Sequence, residues 1–236
     1  MRNVEKVVLP ALFCGRPEID SRITPQELLA AENICPTKAV NAKLEQLHLG
    51  RCTFCRECEF ATSGKIRFTN DYKIATNDLD MLTIKKGEQT PVRLNPTMVR
   101  GEISRYFKRA LKLRQVCAGG DGSAELELNA AANVNFDMGR FGIEFVASPR
   151  HADGIVITGA ITKNMEEALE ICYEATPEPK LIILAGTDAI SGGIFSDSPA
   201  ISRTFLNRHK VDLYVPGNPP HPLTFINGLL HLLRKK

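Results

Sequence analysis

No apolar run in these 236 residues approaches the roughly 18 that a membrane-spanning helix needs. The opening stretch, MRNVEKVVLPALFCGRPE, has too short an apolar segment and the wrong flanks for a secretory signal. An even, dispersed set of cysteines is missing too. There are seven, at positions 14, 35, 52, 55, 58, 117 and 172, and three of them lie between residues 52 and 58. An odd, clustered set argues against a disulfide scaffold and for a metal site in a reducing compartment. Hydrolytic chemistry has no support, because His48, His151, His209, His221 and His231 are dispersed and none pairs with a cysteine at catalytic spacing. With 43% hydrophobic and 24% charged residues, the expectation is an ordinary globular, cytoplasmic protein.

The net charge of +3 conceals an uneven distribution. Arg93, Arg100, Arg105, Lys108, Arg109, Lys112 and Arg114 fall in one stretch against the single carboxylate Glu102, so the rest of the chain is net negative. Two readings stand: a solvated basic face, or a surface that docks on an acidic subunit or anionic lipid headgroups. No recognition motif accompanies the stretch, which argues against nucleic acid.

Two parts are expected. Residues 1–93 are irregular and hold the closely spaced cysteines. Residues 94–236 alternate strand and helix patterns, which implies α/β architecture with a parallel sheet covered by helices. Strands are expected at LKLRQV (111–116), FGIEFVAS (141–148), GIVITG (154–159), KLIILAG (180–186) and VDLYVPG (211–217). Asn164 and Glu167 read as a capping pair opening a helix over 165–175. A last helix from about Pro222 spaces Leu223, Ile226, Leu230 and Leu233 along one stripe. Functional groups of such sheets gather at the carboxyl ends of the strands, here AGGDGSA, TGAITKN, AGTDAISGG and PGNPPHP.

Cys52-x-x-Cys55-x-x-Cys58 places three thiolates on one tight loop, and Cys35-Pro36 offers a remote fourth. In two-cluster ferredoxins the last cysteine of one motif ligates the cluster of the other. On that pattern Cys35, Cys52, Cys55 and Cys58 hold one [4Fe–4S] cluster. The second cluster is absent, since its ligands would fall at Pro25, Leu28, Ala31 and Thr62. Four cysteines also suit tetrahedral zinc, but zinc ribbons use two separated C-x-x-C pairs. Cys14 and Cys172 read as packing residues.

ICPTKAV, RCTFCRECEF and IRFTNDYKIATNDLD resemble the ferredoxin-type subunits of group 4 membrane-bound [NiFe] hydrogenases and of respiratory complex I. VITGAITKNMEEALEICYEATPEPKLIILAG, GGIF and DLYVPGNPPHPLTFINGLL resemble the small subunit of those assemblies, related to the complex I 20 kDa subunit. The resemblance reads as a fusion of two neighbouring subunits and implies a flavodoxin-like sheet behind a ferredoxin-like segment. It also implies a proximal [4Fe–4S] cluster whose ligand positions fall at Asp121, Ala124, Asp188 and Asn218, none of which carries a thiolate. The family's acidic residue beyond the second ligand corresponds to Glu127, and His221 lies closest to the site. Cys117 is no substitute, being four residues before the first position. A hard cation at Asp121 and Asp188, an anion on the glycine-rich turn, or collapse around smaller side chains are the alternatives for this pocket.

Three functions follow from the resemblance. The first is an electron-transfer subunit with one [4Fe–4S] cluster, docked on a hydrogenase-like or complex I-like large subunit and other iron–sulfur subunits. Its place would be the inner face of the cytoplasmic membrane, reached through a membrane arm of its partners. The second is a structural or regulatory subunit, and the third a module binding a small ligand in the proximal pocket.

Overall fold

The computed structural model describes residues 4–234. The first part is built from short pieces: β1 (Pro17–Ile19), α1 (Pro25–Ile34), β2 (Val40–Asn41), β3 (Gln46–His48), α2 (Glu57–Ala61), β4 (Ile66–Phe68) and β5 (Thr83–Lys85). β1 pairs antiparallel with β4, and β3 lies between β2 and β5 in a second antiparallel sheet. Strands of two or three residues carry no alternation to read, which is why this part looks irregular in sequence. α1 has a clear opening signal: Thr24 accepts from the Glu27 N–H, the Glu27 carboxylate answers at the Thr24 N–H, and Pro25 occupies the first turn.

α3 (Gly101–Tyr106) leads into β6 (Leu111–Cys117), α4 (Ser123–Ala131), β7 (Ile143–Phe145), β8 (Gly154–Thr158) and α5 (Lys163–Ala175). β9 (Leu181–Ala185), α6 (Thr187–Ser191), α7 (Thr204–Arg208), β10 (Leu213–Val215) and α8 (Pro222–Leu232) complete the chain. The five strands β6 to β10 are parallel, in the order β10-β9-β8-β6-β7. Read from β7, that is the flavodoxin-like order, with the reversal between β6 and β8. α/β architecture is therefore present as the sequence implies.

Alternation along the central strands divides the core. Ile155, Ile157, Ile182 and Leu184 face α5, α7 and the first part, in one apolar cluster with Leu28, Leu47, Ile66, Leu169 and Phe205. Val156, Leu181 and Ile183 face the other way, toward Leu128 of α4 and Phe225, Ile226 and Leu229 of α8. Each such fully buried side chain is worth roughly 1.5–3 kcal/mol, so a core running across residue 93 ties the two parts firmly. A backbone bridge adds to this, because Thr76 and Tyr214 exchange N–H···O bonds of 3.0 and 2.7 Å along the free edge of β10.

The sequence expectations differ from the structure in detail. β7 is three residues long, since it is the sheet edge and pairs only with β6. α5 begins at Lys163 with Thr162 as its N-cap, and no Asn164–Glu167 capping pair forms; the Thr162 hydroxyl donates to the Ala118 carbonyl at 3.2 Å instead. The basic stretch is partly consumed internally. Arg100 makes two 2.9 Å bonds to buried Asp212, Lys112 pairs with Glu144, and Arg105 lies over the Tyr106 ring.

Candidate metal centre

Cys35, Cys52, Cys55 and Cys58 line one narrow cavity together with Ala39, Val40, Leu47 and Phe68. Two features of the backbone bring them there. Cys35 caps the end of α1, so that helix delivers the remote thiol. The 52–58 loop is wound by two non-glycine residues in the left-handed region, Phe54 (φ 57°) and Arg56 (φ 66°), a conformation few such residues adopt. Arg56 is held by a two-pronged bond to Glu59 at 2.8 and 3.1 Å, and Phe54 packs against Phe68. The Ala39 N–H points at Cys35 Sγ (3.2 Å) and the Phe54 N–H at Cys52 Sγ (3.3 Å).

These donors fit an iron–sulfur cluster. Backbone N–H groups directed at sulfur stabilise the thiolate form, and apolar walls exclude competing water. Four thiols lining one cavity supply the donor set a cubane needs, one for each iron. Burial, reinforced by Cys35 and Cys55, pushes the Cys58 thiol up to about 12, and burial raises Cys52 as well. Without metal both stay protonated, so loading the site must release protons. Cys52 and Cys58 are buried, Cys35 is half-buried and Cys55 reaches solvent.

Positions 28, 31 and 62, where a second cluster would have had its ligands by the resemblance, are taken up by packing and local hydrogen bonds. Leu28 and Ala31 are fully buried on α1. Thr62 ends α2, donating to the Cys58 carbonyl at 2.7 Å and accepting from the Ile66 N–H at 3.0 Å.

Asp121, Ala124, Asp188 and Asn218 also meet in one small pocket, at the carboxyl ends of the parallel strands. Backbones approach closely here: a Cβ on Gly159 would sit 2.2 Å from the Gly120 nitrogen, so glycine is required at that contact. Asp121 accepts from the Ser123 N–H and hydroxyl at 2.9 and 2.6 Å, which holds its carboxyl below the usual range. Asp188 is raised, first by burial and then by Asp121, and its Oδ1 has no hydrogen-bond partner. The sequence reading missed Glu125, which lines this pocket. Its Oε1 accepts from the Thr158 hydroxyl, while Oε2 is buried without a partner. No local pattern marked it, since it reads as an ordinary acid in the first turn of α4.

Glu127 does not line the pocket, and burial alone raises its pKa. His221 caps α8, its Nδ1 accepting from the Leu223 N–H at 3.2 Å, between the edges of Phe13 and Phe136. It lines a neighbouring cavity of about 220 Å³ with Cys14, Thr53 and Phe54. Cys117 is the exposed last residue of β6, outside the pocket lining. Oxygen donors do not suit the soft irons of a sulfide cluster, so the residues at this second site do not fit one.

Residues 117–232 match the family model described as the NADH ubiquinone oxidoreductase 20 Kd subunit. The probable membrane-bound hydrogenase subunit mbhJ of Pyrococcus furiosus is 33% identical over 134 residues, covering 57% of this chain and 80% of that protein. An NADH-quinone oxidoreductase subunit of Citrifermentans bemidjiense is 42% identical over 110 residues, 47% of this chain and 64% of that protein. Among solved structures, a chain of the membrane-bound sulfane sulfur reductase (MBS), an archaeal respiratory membrane complex, is 28% identical, covering 56% of this chain and 73% of that one. Its TM-score of 0.49 carries no argument. Through its second half the chain belongs to the family of the complex I 20 kDa subunit and the small subunits of membrane-bound hydrogenases. The segment before residue 117 lies outside the family match.

Proposed function

We propose that this chain is an iron–sulfur subunit of a membrane-associated, hydrogenase-like or complex I-like oxidoreductase, with a ferredoxin-like part (1–93) fused to a small-subunit part (94–236). The observation that carries the reading is the convergence of Cys35, Cys52, Cys55 and Cys58 on one apolar cavity. A [4Fe–4S] cluster supplies one-electron chemistry when bound. The four thiolates hold it, the Ala39 and Phe54 N–H groups steady the sulfurs of Cys35 and Cys52, and the walls keep water away. Exposed Cys55, with Phe60 at 72% exposure on α2, gives a redox partner its approach.

The similarity to membrane-bound hydrogenase and NADH-quinone oxidoreductase subunits supports partners of that kind: a large subunit, other iron–sulfur subunits, and a membrane arm they contribute. No helix of the described residues is long and apolar enough to cross a membrane; attachment to the inner face of the cytoplasmic membrane would come through those partners. A second reading, a structural or regulatory subunit, is favoured by the lack of any thiolate at Asp121, Ala124, Asp188 and Asn218.

Metal analysis of anaerobically purified protein tests the first reading. The expected content is about four iron and four sulfide per chain with negligible zinc. Eight irons, or stoichiometric zinc, would overturn it.

A further inference from the structure

The cysteine loop does not rest on its own half of the molecule alone. The Thr187 hydroxyl, on the first residue of α6, donates to the Cys52 carbonyl at 2.7 Å across 135 residues of sequence. Thr187 is completely buried and Cys52 nearly so. No other donor reaches that carbonyl among the described residues. Thr187 is itself fixed, because its N–H donates to the Gly217 carbonyl at 2.8 Å, and the Gly186 N–H donates to Val215 at 2.8 Å. Close packing flanks the bond, since a Cβ on Gly50 would lie 2.8 Å from Ile190 Cγ2. The next residue along from Thr187 is Asp188, one of the four positions without a thiolate.

We propose that the β9–α6 turn is the outer support of the cysteine centre, with Thr187 as a positioning residue that sets the reduction potential of its cluster. This rests on reading the four cysteines as a [4Fe–4S] site. The physical argument is electrostatic. The positive end of the Thr187 O–H dipole points toward a ligand residue in a water-excluded interior, where dipoles are weakly screened. That dipole favours the reduced, more negative cluster, so the hydroxyl raises the potential. The domain that lost its own ligands thereby still acts on an electron carrier.

The test uses the full-length chain, purified anaerobically as wild type, Thr187→Val, Thr187→Ser and Ile190→Val. Iron and sulfide are counted, and each potential is read by optical redox titration. Thr187→Val should keep about four irons and titrate at a more negative potential. Thr187→Ser, which retains the hydroxyl, and Ile190→Val, which trims packing only, should titrate as wild type. Should Thr187→Val load no cluster while Thr187→Ser loads normally, the hydroxyl holds the loop for assembly, and the claim on the potential is overturned. A loaded Thr187→Val with the wild-type potential would overturn it, as would equal shifts in Thr187→Val and Ile190→Val, or failure of Thr187→Val and Thr187→Ser alike. A wild-type chain without iron overturns the reading of the site and this inference together, and the iron count separates that result from the others.

Discussion

Two pockets lie on either side of the Cys52–Thr187 bond, and they contrast in donor chemistry. One gathers four thiols against apolar walls, with backbone N–H groups on two of the sulfurs. The other gathers Asp121, Glu125, Asp188 and Asn218 at a sheet edge built for close backbone contact. The Gly120–Gly159 approach leaves no room for a side chain at that contact, and the donors around it are oxygens where the first pocket has sulfurs. Where function lives is decided by the side chains of the site, and the fold alone does not decide it.

The largest expected effect breaks the contrast from the cysteine side. Cys52→Ser or Cys55→Ser should abolish the visible iron–sulfur absorbance and the associated iron, because a hydroxyl is a poor ligand for a soft iron site. Cys117→Ser should leave both unchanged. A cluster signal lost in Cys117→Ser would mean that the sheet edge holds metal after all.

Restoring thiols at the other pocket sharpens the contrast from the opposite direction. The combined variant Asp121→Cys, Ala124→Cys, Asp188→Cys, Asn218→Cys should raise the iron content from about four to about eight per chain. Should it bind no additional iron while the original cluster stays loaded, the placement of those four positions is wrong.

How much of this was legible in the sequence follows from burial. β8 and β9 are buried at every residue, so their continuous apolar runs announce strands, and α8, buried at every position but His231, is apolar well beyond the stripe the sequence suggests. The four cysteines declare themselves by spacing. Glu125 did not, since a carboxylate in the first turn of a helix ordinarily reads as favourable to the helix dipole; only the folded chain turns it toward Thr158. The Cys52–Thr187 bond is illegible for a different reason, since no local pattern records a contact between residues so far apart.

Next in size is an effect inside the second part, where the start of α3 is tied to the parallel sheet. Arg100, just before α3, spans to buried Asp212 ahead of β10. Asp212 also accepts from the Ile182 N–H at 3.0 Å. Arg100→Ala removes the cation and leaves a buried carboxylate uncompensated, which should cost about 3 kcal/mol in chemical denaturation. A cost below about 1 kcal/mol would show that the pair behaves as a surface ion pair and that α3 is held to the sheet by apolar packing.

The smallest effect concerns the acids of the second pocket and comes from Asp188→Asn. Burial, and then Asp121, raise the Asp188 pKa above its ordinary value, so the folded chain binds this proton more tightly than the unfolded chain does. The stability this provides is complete below the ordinary carboxylate pKa and is lost as pH rises through the raised one. At neutral pH the ionised carboxylate is therefore a burden, with Oδ1 unpartnered. Asparagine has the same shape and cannot ionise, which matters because Gly193 packs directly against this side chain. Asp188→Asn should be more stable than wild type at pH 7 by about 0.5 kcal/mol, a figure kept small because the group is only half-buried. The gain should vanish toward about pH 3, where both forms are neutral. If Asp188→Asn is instead less stable at pH 7, the carboxylate has a favourable partner in the working protein, and the second pocket holds a bound cation or a proton relay in place of the thiolate site.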